Sequence, residues 1–441
     1  MTSVTAAERP IPDPSVAKGA PIEVRPRVTL GLLSAQHALI HAQTAVLPLV
    51  FIAVIDGFGV GVAAIGLLLA ASSLLSGLAQ LAYGWLTRRI ARRTILGVGG
   101  LVFGVGMVAL ALAGQWAVFA ALVIVARVGG SPQHPVGNTL LAEQFPPDRR
   151  RFAVSFHIAM GNMGTLVVPL VGAALIASAG WGSAVAVIGL PAIVVGFAIL
   201  LLVRERGEDR IAALAHGSTM AGYRSLLREP NLLWLFAASS VAAAGRGLGT
   251  VTTFVPLYLS RALDLDTTTV ALMYTFLLIG SVPGPLIANR IADRVGHRRV
   301  LVATYLLGAA SLIFFLASGS TIPLVWVAIG FLSAFVFEES ALLQAVLADL
   351  TPPAIRDVTS SAYFTVMFVV GAVWAAVLGS IVGALGDEQG FLVVFGIMAV
   401  SYLLAALVML PVRADERVGE RGGGLGLVET VAVEEEPASV S

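Results

Sequence analysis

The residues whose types and spacing could do chemistry sit inside long apolar runs of a 441-residue chain. Arg127, Ser131, His134 and Asn138 are spaced four, three and four apart, which places them on one face of a helix. An arginine holds its proton, so Arg127 can bind an anion or tune a neighbouring acid but cannot carry the proton itself. The alternative is a prop that bonds carbonyls or a carboxylate on a neighbouring helix. Arg246, Thr250 and Thr253 repeat the device, with an ion pair to Glu338 or Glu339 as the structural alternative. Those two glutamates are adjacent and point about 100° apart around a helix, so they cannot face one partner. One is expected to pair with an arginine and leave the other free to take up a proton, and Glu339 is the expected proton site.

Histidines supply the other constellation. His37 and His41, with Thr44 and Pro48, share one helical face. Two imidazoles at that spacing can ligate a metal, but there is no glutamate of a zinc-protease motif between them and no further ligand set. The expectation is therefore a cavity lining or a proton relay, with ordinary packing as the alternative, and no metal. His157 lies on a face with Gly161 and Gly164, and Asn162 is grouped with the same cavity; packing is the stronger alternative there. His216 and His297 fall in loops and are assigned nothing. There are no cysteines, which excludes disulfides, thiolate metal sites and cysteine nucleophiles. Phosphate-loop, triad and dinucleotide patterns do not occur in a strand–turn–helix context. Gly245-Arg246-Gly247-Leu248-Gly249 is read as a glycine-rich run inside a helix. The chain is not expected to be an enzyme, to hydrolyse ATP or to need a cofactor.

The elements that must position these residues follow from composition. The chain is 57% hydrophobic and 12% charged, with a mean hydropathy of +0.91. Soluble domains carry about twice that charged fraction. A net charge of +1 leaves no basic surface for nucleic acid. Twelve stretches can each span a bilayer as a helix: 28–55, 63–86, 95–113, 117–145, 153–178, 183–203, 231–259, 267–290, 300–318, 322–350, 358–385 and 391–412. If they alternate, 24 of the 27 basic residues lie on one side, Arg261 alone lies on the other, and Arg127 and Arg246 lie within the stretches. That bias puts both termini in the cytoplasm. Residues 1–27 read as a disordered tail, and residues 413–441 as a solvated acidic tail.

The polar segment 204–230 divides the helices into bundles 28–203 and 231–412. Ala142-Glu143-Gln144-Phe145-Pro146-Pro147 recurs as Ala348-Asp349-Leu350-Thr351-Pro352-Pro353, an offset of 206 residues. By that offset Glu339 corresponds to Gln133. Arginine clusters, and Pro48 with Pro256, repeat at nearly the same offset. Two parallel repeats imply a binding site between the halves, near the membrane midplane.

The loop Asn289-Arg290-Ile291-Ala292-Asp293-Arg294-Val295-Gly296-His297-Arg298-Arg299 resembles the loop motif G-x-L-A-D-R-x-G-R-R of the major facilitator superfamily. Its partner copy, Gly84-Trp85-Leu86-Thr87-Arg88-Arg89-Ile90-Ala91-Arg92-Arg93, has Arg88 in place of the acid and Ala91 in place of the glycine. The resemblance implies an all-α membrane fold of twelve helices in two pseudo-symmetric six-helix bundles. It also implies a gating loop of Asp293, Arg294, Gly296 and Arg298, with Gly84 and Arg88 in the altered copy. Within the superfamily the chain resembles the fosmidomycin-resistance type of exporter. That resemblance lies in Ser131-Pro132-Gln133-His134-Pro135, Met160-Gly161-Asn162-Met163-Gly164 with Pro169-Leu170, and Arg246 followed by Thr253-Phe254-Val255-Pro256-Leu257-Tyr258. Arg127-Val128-Gly129-Gly130 is similar to a helix-4 arginine motif linked to proton coupling. Gly164, Pro169 and Gly172 are similar to the helix-5 antiporter motif, with Val168 at a usual glycine.

These features together lead to the expectation of a monomeric secondary transporter of the inner or plasma membrane. It would exchange protons for a small organic compound, an anionic one suiting the arginines, by alternating access. Uptake or exchange of an organic anion is the alternative, and a transporter-like receptor without flux is a more distant one. Because only the second loop keeps its acid, Asp293→Asn should slow transport far more than Arg88→Gly. Equal losses of flux in the two variants would count against a latch at Asp293.

Overall fold

The computed structural model describes residues 23–87, 89–205, 224–351 and 356–413. Most of both expected tails, most of the central loop and Arg88 lie outside those residues, α1 begins at Pro26 inside the expected first tail, and the Gly84 side of the loop is described for its backbone only. Among the described residues, twelve helices are long and apolar enough to cross a membrane, one on each of the twelve stretches. They are α1 (Pro26–Phe58), α2 (Val62–Leu86), α3 (Arg92–Leu110), α4 (Trp116–Gly130 and Pro135–Gln144), α5 (Pro147–Ala179) and α6 (Trp181–Leu202). The second half has α7 (Pro230–Ala242 and Thr252–Arg261), α8 (Thr267–Ile279 and Pro283–Val295), α9 (His297–Ala317), α10 (Ile322–Phe335 and Glu339–Leu350), α11 (Arg356–Leu385) and α12 (Asp387–Met409).

Helices form here because a bilayer offers backbone amides and carbonyls no water, so each segment must bond its own. Apolar side chains such as Leu67, Val194, Leu201, Leu286 and Leu407 are more than half exposed, as a lipid-facing surface requires. Short turns join the helices. At the α8–α9 turn Gly296 has φ 99°, a conformation that suits glycine.

Four helices break. α4 passes through a single 3-10 turn at Ser131–Gln133, which contains Pro132 and is followed by Pro135. α8 breaks ahead of Pro283, and α10 breaks between Phe335 and Glu339. α7 departs from the sequence reading, because its glycine run lies in an interruption of the helix and not inside one. Leu248 (φ −76°, ψ 118°) and Gly249 (φ 111°, ψ −70°) are non-helical, and Arg246 has ψ 129°. The helical spacing of Arg246, Thr250 and Thr253 therefore does not hold. Glycine allows the break, since Gly249 needs positive φ and a Cβ on Gly247 would run into Val336 and Phe337 of α10.

The tail end of the molecule is marked by the start of α7 and the end of α12, where the Arg413 amide donates to Asn231. At the opposite end the halves meet: α1 and α2 pack on α7 and α11, and α5 packs on the first segment of α8. α2 and α11 touch backbone to backbone, because a Cβ on Gly66 would lie 2.8 Å from the Gly379 Cα. Small residues permit such close approach in membranes. The second segments of α4, α8 and α10, at the tail end, find their extensive neighbours within their own halves. The halves thus close on each other remote from the tails and part toward them.

Arg261, the one basic residue expected on that remote side, joins the halves. It bonds Asp56 at the end of α1 (2.6 Å) and Asp387 at the start of α12 (3.2 Å). Exposed ion pairs stabilise by about 0.2–1 kcal/mol, so Arg261→Gln should loosen this closure by up to about fivefold. The cysteine-free chain makes the measurement direct. In a variant carrying Val50→Cys, a fully buried position on the remote half of α1, polar maleimide should react faster once Arg261 is changed. An unaltered rate would remove the ion pair from gating.

Candidate functional site

The breaks in α7 and α10 lie side by side, tied by the Gly247 amide donating to the Val336 carbonyl (3.1 Å). Between them the chain holds a buried ion pair. Arg246 Nη2 donates to Glu339 Oε1 at 2.9 Å, and also to the Ser239 carbonyl (3.1 Å), the Ser239 hydroxyl and Met367. Tyr402 donates to the other Glu339 oxygen (3.2 Å), and its ring packs on Tyr305. Thr250 bonds the Ala243 carbonyl across the gap in α7 (3.0 Å). Unwound backbone at membrane depth is tolerated where it is buried in protein or lines a cavity, and these contacts enclose it.

Glu338 is different. It is 5% exposed, and neither carboxylate oxygen has a hydrogen-bond partner among the described residues. Its carboxyl lies against Gly284, in the first turn of the second α8 segment, where a Cβ would meet it. The sequence expectation was one paired and one unpaired acid, and the structure contains both. It reverses the order, because Glu339 is the residue that turns toward Arg246.

The break in α4 is tied to its own half by neutral groups. Gln80 of α2 donates to the Ser131 carbonyl (3.1 Å), Tyr83 shares a hydrogen bond with the Ser131 hydroxyl (2.6 Å), and Gln133 donates to the Leu33 carbonyl of α1 (2.7 Å). The 206-residue offset that relates Gln133 to Glu339 also relates Leu33 to Ser239. Each half therefore fastens its broken helix to the corresponding carbonyl of its first helix, directly through an amide in one and through Arg246 in the other.

Four histidines converge beside this joint. His37 lies 4.5 Å from His41, 4.9 Å from His134 and 4.3 Å from His157, centroid to centroid, the last pair stacked. His37 Nδ1 meets the His157 carbonyl at 2.9 Å, and His41 Nδ1 meets the Thr165 hydroxyl at 3.3 Å. Glycine spacing on α5 makes room: a Cβ on Gly161 would lie 2.8 Å from the His37 ring, and one on Gly164 would collide with the Ala38 backbone. The expectation that α1 offered two histidines without further ligands is corrected here, because α4 and α5 bring two more. Arg127 is half-buried on α4, one turn before Ser131, with no hydrogen-bond or ion-pair partner seen among the described residues. Asn138 follows His134 by one turn and leaves its buried Oδ1 unbonded. Asn162 is half-buried beside Gly161.

In the α8–α9 loop Asp293 is exposed and lies 4.0 Å from His297, which also approaches Asp349 (3.9 Å). Arg298 donates to the Leu410 carbonyl (3.0 Å), and Arg294 is exposed. At the altered loop the backbone amides of Arg92 and Arg93, the first residues of α3, donate to the Glu205 carboxylate, and Arg92 pairs with Glu143 (2.9 Å). A carboxylate at a helix N-terminus meets its unbonded amides and positive end. Glu205, which follows α6, takes that place here, and Arg88 lies outside the described residues.

Sequence reasoning passed over Gln80, Tyr83, Ser239, Glu205 and Tyr402. Gln80 and Tyr83 carried a signal as polar groups one turn apart in an apolar run. An apolar groove of about 640 Å³ lined by Phe276, Trp326, Gly330 and Phe331 lies between α8 and α10, and none of these polar groups lines it.

Two six-helix halves, each with helices broken inside their apolar spans, form the architecture shared by many membrane carriers. The sequence pattern of the Major Facilitator Superfamily matches residues 33–375 and again 240–436, and the chain belongs to that family of transporters. Among its relatives is an MFS-type efflux pump of Mycolicibacterium smegmatis, 26% identical over 60% of this chain. That alignment spans 62% of the pump, less than two thirds of its length. A Klebsiella pneumoniae protein assigned to multidrug resistance, MdtD, is 26% identical over 78% of this chain and 84% of its own. In fold the chain is similar to a bacterial homologue of the human lysosomal transporter Spinster in an inward-facing, unoccupied conformation, with a TM-score of 0.70, 16% identity and coverage of 89% and 98%. It is similar also to a D-xylose–proton symporter, with a TM-score of 0.69, 17% identity and coverage of 87% and 96%.

The two glutamates give a stability test. Glu339→Gln leaves Arg246 charged and buried without its partner, which costs about 3–5 kcal/mol, so the melting temperature in detergent should fall by several degrees. Glu338→Gln removes no bond and should melt close to the parent. The opposite order would overturn the pairing.

Proposed function

We propose that this transporter exports a small organic compound in exchange for protons, and that Glu338 carries the proton. The carrying observation is a buried carboxylate with no partner, set at the break of α10 beside a joint that already satisfies Glu339. A charge left unbonded at such a place is costly, and intramembrane acids of this kind mark ion pathways. Protonation removes the charge, and release toward the opened tail side restores it. Arg127 supplies an unpaired positive group for cargo with an anionic part. Arg246, engaged by Glu339, supports the joint.

Export is favoured over uptake by the Gly164, Pro169 and Gly172 pattern of α5, and by relatives whose names specify efflux and multidrug resistance. The likeness to the fosmidomycin-resistance type rests on the motifs of α4, α5 and α7. The arginine bias supports both termini in the cytoplasm of a cell-membrane protein, so the tail-side opening faces inward, and a monomer is sufficient for this cycle. Uptake or exchange of an organic anion is the second reading, favoured by Arg127 alone.

The test separates coupling from movement. In proteoliposomes Glu338→Gln should lower gradient-driven transport at least tenfold and flatten its pH dependence, because the amide can neither take up nor release a proton, while Glu338→Asp should keep coupling. Gradient-driven transport at the parent rate would remove Glu338 from coupling. Absence of counterflow in the parent itself would favour a receptor, and accumulation driven inward would favour uptake.

A further inference from the structure

The four-histidine cluster is not used by the proton reading above, and its geometry points to a separate chemistry. We infer that His37, His41 and His134 form a binding site for a divalent transition-metal ion of zinc's class, with one coordination position left open. One ligand nitrogen from each lies within 4.8 Å of the other two.

The hydrogen bonds set the tautomers for ligation. A carbonyl only accepts, so His37 Nδ1, at 2.9 Å from the His157 carbonyl, must carry the proton. That leaves the lone pair on Nε2, which is buried and unpartnered. The Thr165 hydroxyl can donate to the Gly161 carbonyl (3.4 Å) and accept from His41 Nδ1, which again leaves Nε2 as the free lone pair. Metal-bound histidines almost always donate their other ring nitrogen in this way, which fixes the ring and raises its basicity. Here two of the three rings are already held so. His134, on the break of α4, is half-buried and its ring makes no hydrogen bond among the described residues, so the ring can turn to complete the set.

The donor set defines the ion. Three neutral imidazoles suit zinc, cobalt, nickel or copper, while magnesium and calcium require oxygen ligands. Bonds of about 2.0–2.1 Å put neighbouring nitrogens of a tetrahedral site about 3.4 Å apart, so the ion draws the rings together by small rotations. Gly161 is part of the design, because a larger residue there would displace the His37 ring. His157 contributes its carbonyl and a stacked ring, which makes it a positioning residue.

The experiment uses the full chain without a polyhistidine tag, in detergent, titrated calorimetrically with Zn2+ and followed with Co2+ by visible absorption. One ion per chain, with the intense bands of tetrahedral Co2+, is expected. Loss of an outer-shell partner costs about 10–100-fold in affinity, so His37→Gln, His41→Gln and His134→Gln should each weaken binding at least about 100-fold. His297→Gln lies at the distant loop and should bind within about threefold of the parent. X-ray absorption of the zinc-loaded parent needs no variant and should show three imidazoles in the first shell. No saturable zinc binding, an oxygen-dominated shell, binding that survives all three ligand variants, or loss confined to His297→Gln would overturn the site. The outcome is independent of Glu338, because it reads metal affinity and not flux.

Discussion

A helix that breaks at membrane depth must find partners for the backbone groups it frees, because the hydrocarbon supplies none. That constraint organises this molecule. α4, α7, α8 and α10 all break, and the chemistry-bearing residues of α4, α7 and α10 stand at those breaks. Where α7 and α10 break, each partly satisfies the other through Gly247 and Val336, and the guanidinium of Arg246 reaches back to the Ser239 carbonyl. Where α4 breaks, Gln80, Tyr83 and Gln133 do the same service without charge. Irregular backbone enclosed by protein in this way is also where carriers place their binding groups.

The repeat preserves the joint and changes its electrostatics. Residue 133 is a glutamine that bonds Leu33, and residue 339 is a glutamate that needs Arg246 between it and Ser239. One half thus carries a buried ion pair and a spare acid, the other a neutral network with imidazoles. A buried pair contributes little net stability once desolvation is counted, but losing one member is costly. Such a joint resists piecemeal change, which suits a part that must hold its shape while the halves move. The ends of the molecule differ for a related reason. The halves meet at one end through α2 on α11, with small residues such as Gly66 and Gly379 at the contact, and through the exposed Arg261 pairs, so they can part there without unpacking either half.

Much of this was legible in the sequence. Hydropathy alone located twelve helices because spanning a bilayer demands long apolar runs with internally bonded backbone, and local composition records that demand directly. The offset of 206 residues marked the two halves, and the intramembrane Arg127, Arg246, Glu338, Glu339 and histidines stood out because polar groups are costly there. What the sequence could not decide was which group meets which. A helical wheel assumes an unbroken helix, and it failed at Gly245–Gly249, where positive φ and contact with α10 ended the helix. Nor could a wheel say which of two adjacent acids stays unpaired, since they differ only by rotation, and the repeat offset that aligns Glu339 with Gln133 pointed to the wrong one. The packing of α7 against α10 turned Glu339 to Arg246 and left Glu338 alone. The histidines of α1 looked like a pair because their partners lie 93 and 120 residues away, on α4 and α5. Local spacing is written in the chain, while contacts between helices depend on how side-chain shapes interlock, and only the tertiary structure decided those.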